Sequence, residues 1–155
     1  MASSAALAVV PQVVSPAPLW RGVNRILLSC AAPADGWAEG AGIAERLCAV
    51  AVAEARQGAP IAIAREADVA VPGRGDAVLR LRIDRQTGGA VLLASVARAV
   101  VIDEAEGGPD GGLFARPVTL TTLDAATLRD GVARALDTAL PWRRRNTQVQ
   151  RSRRP

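Results

Sequence analysis

Apolar and polar residues alternate strictly over residues 77–84. Leu79, Leu81 and Ile83 fall on one side, and Arg80, Arg82 and Asp84 on the other. A period of two belongs to a strand with one packed and one wet face. The turn Arg85-Gln86-Thr87-Gly88-Gly89 follows, and its glycines supply the positive φ that a tight hairpin loop needs. The return strand, residues 90–102, is apolar on both sides. Leu92, Ala94, Val96, Val100 and Ile102 lie on one, and Val91, Leu93 and Val101 with Ser95, Ala97 and Ala99 on the other. Such a strand is central in its sheet, or carries a bulge that exchanges its faces midway. Arg98 interrupts the first side, which favours the bulge. This hairpin is the element on which the others pack.

Upstream, residues 23–30 read as a buried strand around Ile26-Leu27-Leu28, and Pro33-Ala34-Asp35-Gly36 as a turn. A helix is predicted over 38–57, because Ala44, Leu47, Cys48, Ala51 and Ala55 share one helical face. Glu39 and Arg56 suit its dipole, and Gly58 stops it. Residues 60–66 form a short strand with Ile61 and Ile63 on one side. Strand, helix, strand in this order is a right-handed crossover between parallel strands. Residues 67–75 are a loop.

Downstream, residues 103–112 are acidic and glycine-rich. Asp103, Glu104, Glu106 and Asp110 do not follow the alternate-position ligand spacing of an EF-hand, so the segment reads as a solvated loop. Residues 113–120 add a last strand with Phe114, Val118 and Leu120 on one side, confined to an edge by Pro117. A final helix begins at the N-cap Asp124, with Leu123 and Leu128 as a hydrophobic staple. Its stripe is Leu128, Val132, Ala135, Leu136, Ala139 and Leu140. Gly131 marks close packing on the sheet, and Pro141 ends the helix.

These elements define an α/β (α+β) fold. A single mixed sheet of four to five strands, in element order β-α-β-β-β-(β)-α, carries two helices on one face. The 155 residues form one domain, over 22–141. Residues 1–21 are a leader or disordered segment in which a degraded signal peptide is legible. Ala5 to Val14 would be its apolar region, and Ser15-Pro16-Ala17 its small-residue cleavage site. Residues 142–155 are a basic, disordered tail. No apolar run reaches the roughly 18–20 residues of a membrane span.

Charge changes the picture little. The net charge is +4, but Arg143, Arg144, Arg145, Arg151, Arg153 and Arg154 all follow Trp142. Without them, thirteen arginines face fifteen acidic residues. The basic character belongs to the tail, so the body is not read as a nucleic-acid-binding domain. The six arginines are the candidate contacts for an anionic partner. With a single tryptophan beside them for stacking, nucleic-acid binding is expected to be weak and sequence-blind.

The chain has no histidine and no lysine. A triad or dyad lacks its usual base, and Schiff-base or Ser-Lys schemes lack their amine. Two cysteines without histidine do not make a zinc site, and no phosphate-binding glycine loop is present. The protein is therefore read as not an enzyme, with no cofactor and no metal. Cys30 and Cys48 are either two buried thiols or a disulfide. An ideal strand-turn-helix with the helix starting at 38 separates them by about 15 Å along the helical rise. A disulfide tolerates about 7 Å between Cα atoms. A shifted helix start could close that gap.

The succession RILLSC, AERLCAVAVAEA, PIAIARE and DAVLRLRID, then the long return strand and terminal helix, resembles the small exported α/β modules of the TolB N-terminal type. It also resembles alphaproteobacterial proteins of similar layout. The resemblance covers about residues 23–140 and rests on element order and hydrophobic pattern. It implies a periplasmic interaction or scaffold module with no catalytic residues to carry over. The reading is a binding or scaffold module for a protein partner, exported rather than cytoplasmic. The alternatives are a nucleic-acid-associated protein using the arginine tail, and an enzyme component that needs a partner subunit.

Overall fold

A computed structural model describes residues 18–33, 37–38, 41–100 and 112–143. Its strands are β1 (Arg25–Ala31), β2 (Ala62–Arg65), β3 (Asp76–Gln86), β4 (Gly89–Arg98), β5 (Leu113–Phe114) and β6 (Val118–Leu120). Its helices are α1 (Ile43–Arg56) and α2 (Ala125–Ala139). The sheet order is β2-β1-β3-β4-β5, with β6 also paired to β4. This is the expected mixed α+β sheet with two helices. β1 pairs in parallel with both β2 and β3, while β4 pairs antiparallel with β3, β5 and β6.

The hairpin follows its alternation. Leu79, Leu81 and Ile83 are buried, whereas Arg80 and Arg82 are exposed. The loop shortens to Thr87-Gly88, with Gly88 at φ +80° between the paired Gln86 and Gly89. The bulge expected in β4 is absent. Its register with β3 runs unbroken from Ala77↔Arg98 to Gln86↔Gly89. Arg98 lies on the core-side parity because it is the last residue of the strand and its guanidinium has work there. It donates to the Leu19 carbonyl at 3.4 Å and to the carbonyls of Arg21 and Arg74. Three segments are thereby tied to one end of the sheet. Ala99 and Val100 lie beyond the strand, and Val101 and Ile102 lie outside the described residues.

The bulge sits instead in the edge strand. Ser95 pairs with Phe114, but Leu92 pairs with Val118, so the edge carries one residue more than β4 between these rungs. The extra residue falls in Ala115-Arg116-Pro117, where proline cannot donate to the ladder. A one-residue slip reverses the facing of every side chain. Leu120 is fully buried, while Phe114, expected on the same side, is 81% exposed.

Helix α1 begins at Ile43, five residues later than predicted. Gly42 takes φ +69° there, a conformation outside the helix. Its buried residues are Ile43, Leu47, Cys48, Ala51 and Ala55, so Ala44 gives way to Ile43 in the stripe. Asp124 caps α2, accepting from the Thr127 amide at 2.8 Å and from the Thr122 hydroxyl at 2.6 Å. These bonds, the Thr122 one foremost, hold its carboxyl below the ordinary carboxylate range. At Gly131 a Cβ would stand 2.5 Å from Leu120 Cδ2, so the helix does approach the sheet closely at that position. The Arg46 guanidinium reaches the Leu123 carbonyl near the start of both helices, and Arg143 reaches the Glu54 carbonyl near their ends. The two helices therefore run side by side in the same direction over one sheet face. Ile26, Leu28, Leu79, Leu81, Ile83, Leu92 and Val96 fill the core beneath them.

Two residues read with the tail belong to the body by their contacts. Trp142 meets Trp20 edge to face at 6.4 Å. Arg143 bonds Asp137 at 2.7 Å and the Glu54 carbonyl at 2.9 Å, and its side chain is only 12% exposed. A chain ending at Arg143 is expected to keep the full thermal midpoint, whereas one ending at Pro141 is expected to lose several degrees. Calorimetry of the two truncations beside the full chain checks this.

Candidate binding surface

The helices cover one face of the sheet, and among the described residues the other face is covered only in part. β2 returns to β3 past β1, and a right-handed return takes the opposite side from α1. The turn Glu66–Asp68 contacts β1. Leu27 and Val78 are buried although they stand outside the cluster beneath the helices, as a strap across that side requires. Beyond the strap, side chains of β1, β3, β4 and β5 line up in rows set by the register. One row is Ser29, Arg80, Ser95 and Phe114, and the next holds Ala31, Arg82 and Leu93. Arg80, Arg82, Ala31 and Phe114 are exposed, and Ser29, Ser95 and Leu93 half-buried. Ala97 continues the small-residue floor.

The charges on this face differ in their freedom. Arg82 bonds Asp84 at 2.6 Å, in a pair whose arginine side chain is 64% exposed. Arg25 is bound more firmly: its Nε and a terminal nitrogen each donate at 2.8 Å to the two oxygens of Asp76. Asp76 is 3% exposed and also accepts from the Gly73 amide at 2.7 Å. The Arg25 bonds, against the cost of burial and helped by the Gly73 amide, hold its carboxyl below the ordinary range. The same bonds raise Arg25. Arg80 has no hydrogen-bond or ion-pair partner among the described residues.

Cys30 and Cys48 are joined by a disulfide, with Cα atoms 5.6 Å apart. The late start of α1 brings Cys48 into its second turn, level with the end of β1. The bond closes a span of 18 residues, for which chain entropy gives about 3 kcal/mol. Thiol titration of the unreduced, denatured protein is expected to find no free thiol. Reduction, or the double change Cys30→Ala with Cys48→Ala, is expected to lower the thermal midpoint by several degrees.

Of the six tail arginines named as anionic-partner contacts, Arg143 is spent on Asp137 and Glu54 and does not present a free cation. Arg144, Arg145, Arg151, Arg153 and Arg154 lie outside the described residues, as do Asp103, Glu104, Glu106 and Asp110. Among the described residues no group of three or more His, Cys, Asp or Glu side chains could hold a metal ion, and no helix is long and apolar enough to cross a membrane. A cleft of about 500 Å³ lies between the hairpin turn and the segment before α2, with Trp37 on its wall and Arg85 its one charged lining residue. A second, of about 390 Å³, opens beside the disulfide, where Arg65 and Glu45 pair at 2.5 Å.

Sequence reasoning missed Phe114 and the isolation of Arg80 from any counter-charge. The Pro117 signal for an interrupted edge was available; the position of the extra residue was not. The chain matches no protein-family model, no curated protein and no solved structure.

Proposed function

We propose that this protein is a non-catalytic binding or scaffold module of an oxidising, exported compartment, and that it meets a protein partner through the uncovered part of its sheet. The observation that carries the reading is the one-sided packing. Both helices sit on one face, and the other presents Phe114, Leu93, Arg80 and Arg82 in adjoining rows. Phe114, one of four aromatic residues in the chain, is left 81% exposed in these rows. Aromatic and arginine side chains are the types enriched at protein interfaces.

The disulfide supports the choice of compartment, since such bonds persist where the environment is oxidising. The resemblance of the element order to TolB N-terminal modules is in keeping with that choice. The absence of histidine and lysine removes the usual bases and amines of catalysis.

The test is a photo-crosslinking residue placed at position 114, and separately at position 129 on the exposed side of α2, in cells that make the protein natively. A discrete adduct from position 114 alone is expected. Equal adducts from both positions, or none from position 114, would contradict the reading.

A further inference from the structure

The uncovered sheet face has a chemistry that narrows its partner. We infer that it takes an acidic protein segment, seating a carboxylate on Arg80 and an apolar side chain against Phe114. This rests on the binding-module reading and adds the partner's chemical class.

Arg80 stands at the middle of the face, exposed, with Ser29 and Ser95 on either side of it in the row. The acidic groups of β3 on this face are already bonded, Asp84 to Arg82 and Asp76 to Arg25. A planar guanidinium without a counter-ion among the described residues, flanked by small hydroxyl side chains, suits bidentate capture of a carboxylate. Phe114 lies two strands away in the same row, about 10 Å at the usual strand spacing. Leu93, opposite Arg82, extends the apolar part between them. A carboxylate and an apolar side chain some 10 Å apart would satisfy both anchors at once.

Other occupants fit less well. A second copy docking face to face with its two-fold axis through this patch would set Arg80 against its own counterpart, a like-charge contact. A single-stranded nucleic acid needs successive aromatic platforms, and this face offers one aromatic with the Asp84 carboxylate beside the track.

The experiment uses the full-length, disulfide-bonded protein and two fluorescent twelve-residue peptides. One has glutamate and leucine residues separated by Gly-Ser spacers; the other has lysine in place of glutamate. Anisotropy is read for the parent, Arg80→Glu and Phe114→Ser, with thermal midpoints confirming that the exposed substitutions leave the fold intact. The acidic peptide is expected to bind the parent and to weaken at least tenfold in each variant. Arg80→Glu is expected to gain the lysine peptide. Equal affinity for the two peptides, an affinity indifferent to both substitutions, or displacement of the acidic peptide by a thymidine oligonucleotide with higher affinity would each overturn the inference. A native adduct at position 114 together with no acidic-peptide binding would overturn this inference and leave the binding-module reading standing.

Discussion

Leu81→Ala is expected to lower the free energy of unfolding by about 2–5 kcal/mol, the range for emptying a buried leucine site. Leu81 is 1% exposed and lies in the middle of the central strand, between Cys30 of β1 and Ala94 of β4 and within the cluster beneath the helices. The strands are hydrogen-bonded on both sides, so the site has little room to collapse. Arg82→Ala, one residue along, removes an exposed side chain whose partner Asp84 stays hydrated, and is expected to change stability by about 0.5 kcal/mol or less. Urea unfolding of the two variants beside the parent checks the contrast. Similar midpoints for both would contradict the facing assigned to β3.

The second large effect is expected at Asp76. This carboxylate is buried at the start of β3, accepts hydrogen bonds from two of the Arg25 guanidinium nitrogens across the parallel pairing with β1, and holds the crossover loop through the Gly73 amide. Replacement by alanine leaves that amide without its acceptor and is expected to cost about 3 kcal/mol, near the low end for breaking a buried pair because Arg25 remains partly hydrated. The pH dependence has a definite sign. A carboxyl held below its unfolded value, about 3.9, contributes stability that is fully present above that value. The contribution is lost as pH falls through the folded-state pKa. Asp76→Asn should therefore be clearly less stable than the parent at pH 7, and the gap should narrow below about pH 4. Urea midpoints at pH 7 and pH 3 provide the measurement, and a gap that widens on acidification would contradict the ion-pair account.

Which of these features were legible in the chain follows from how local their causes are. The alternation of Leu79, Arg80, Leu81, Arg82 and Ile83 is a property of consecutive residues, and strand, facing and hairpin followed from it. The Asp124 cap and the stripe of α2 are equally local. The Arg25–Asp76 pair depends on the register between two strands 51 residues apart, which no local pattern encodes. The exposure of Phe114 depends on where one extra residue enters the edge strand. The disulfide turned on Gly42 taking a left-handed conformation, which trimmed the predicted helix by five residues and brought Cys48 to the end of β1. Arg98 illustrates the reverse error. An arginine on an apolar face read as a register fault, when it is a strand-end side chain that collects carbonyls from three segments.

The same distinction applies to the site. Tail arginines are conspicuous in the sequence, and the first of them, Arg143, proves to be a structural clamp between α2 and α1. The sheet-face row of Ser29, Arg80, Ser95 and Phe114 draws on four strands, so it exists only once the register is known.

The central claim is that the uncovered half of this sheet is the working surface. Radical footprinting of the purified protein, alone and then in an extract of the cells that make it natively, tests it most directly. Phe114 and Leu93 are expected to be modified in the isolated protein and protected in the extract, while residues on the outer side of α2 change in neither. Protection of Phe114 in the isolated protein, or unchanged modification of both residues in the extract, would contradict it.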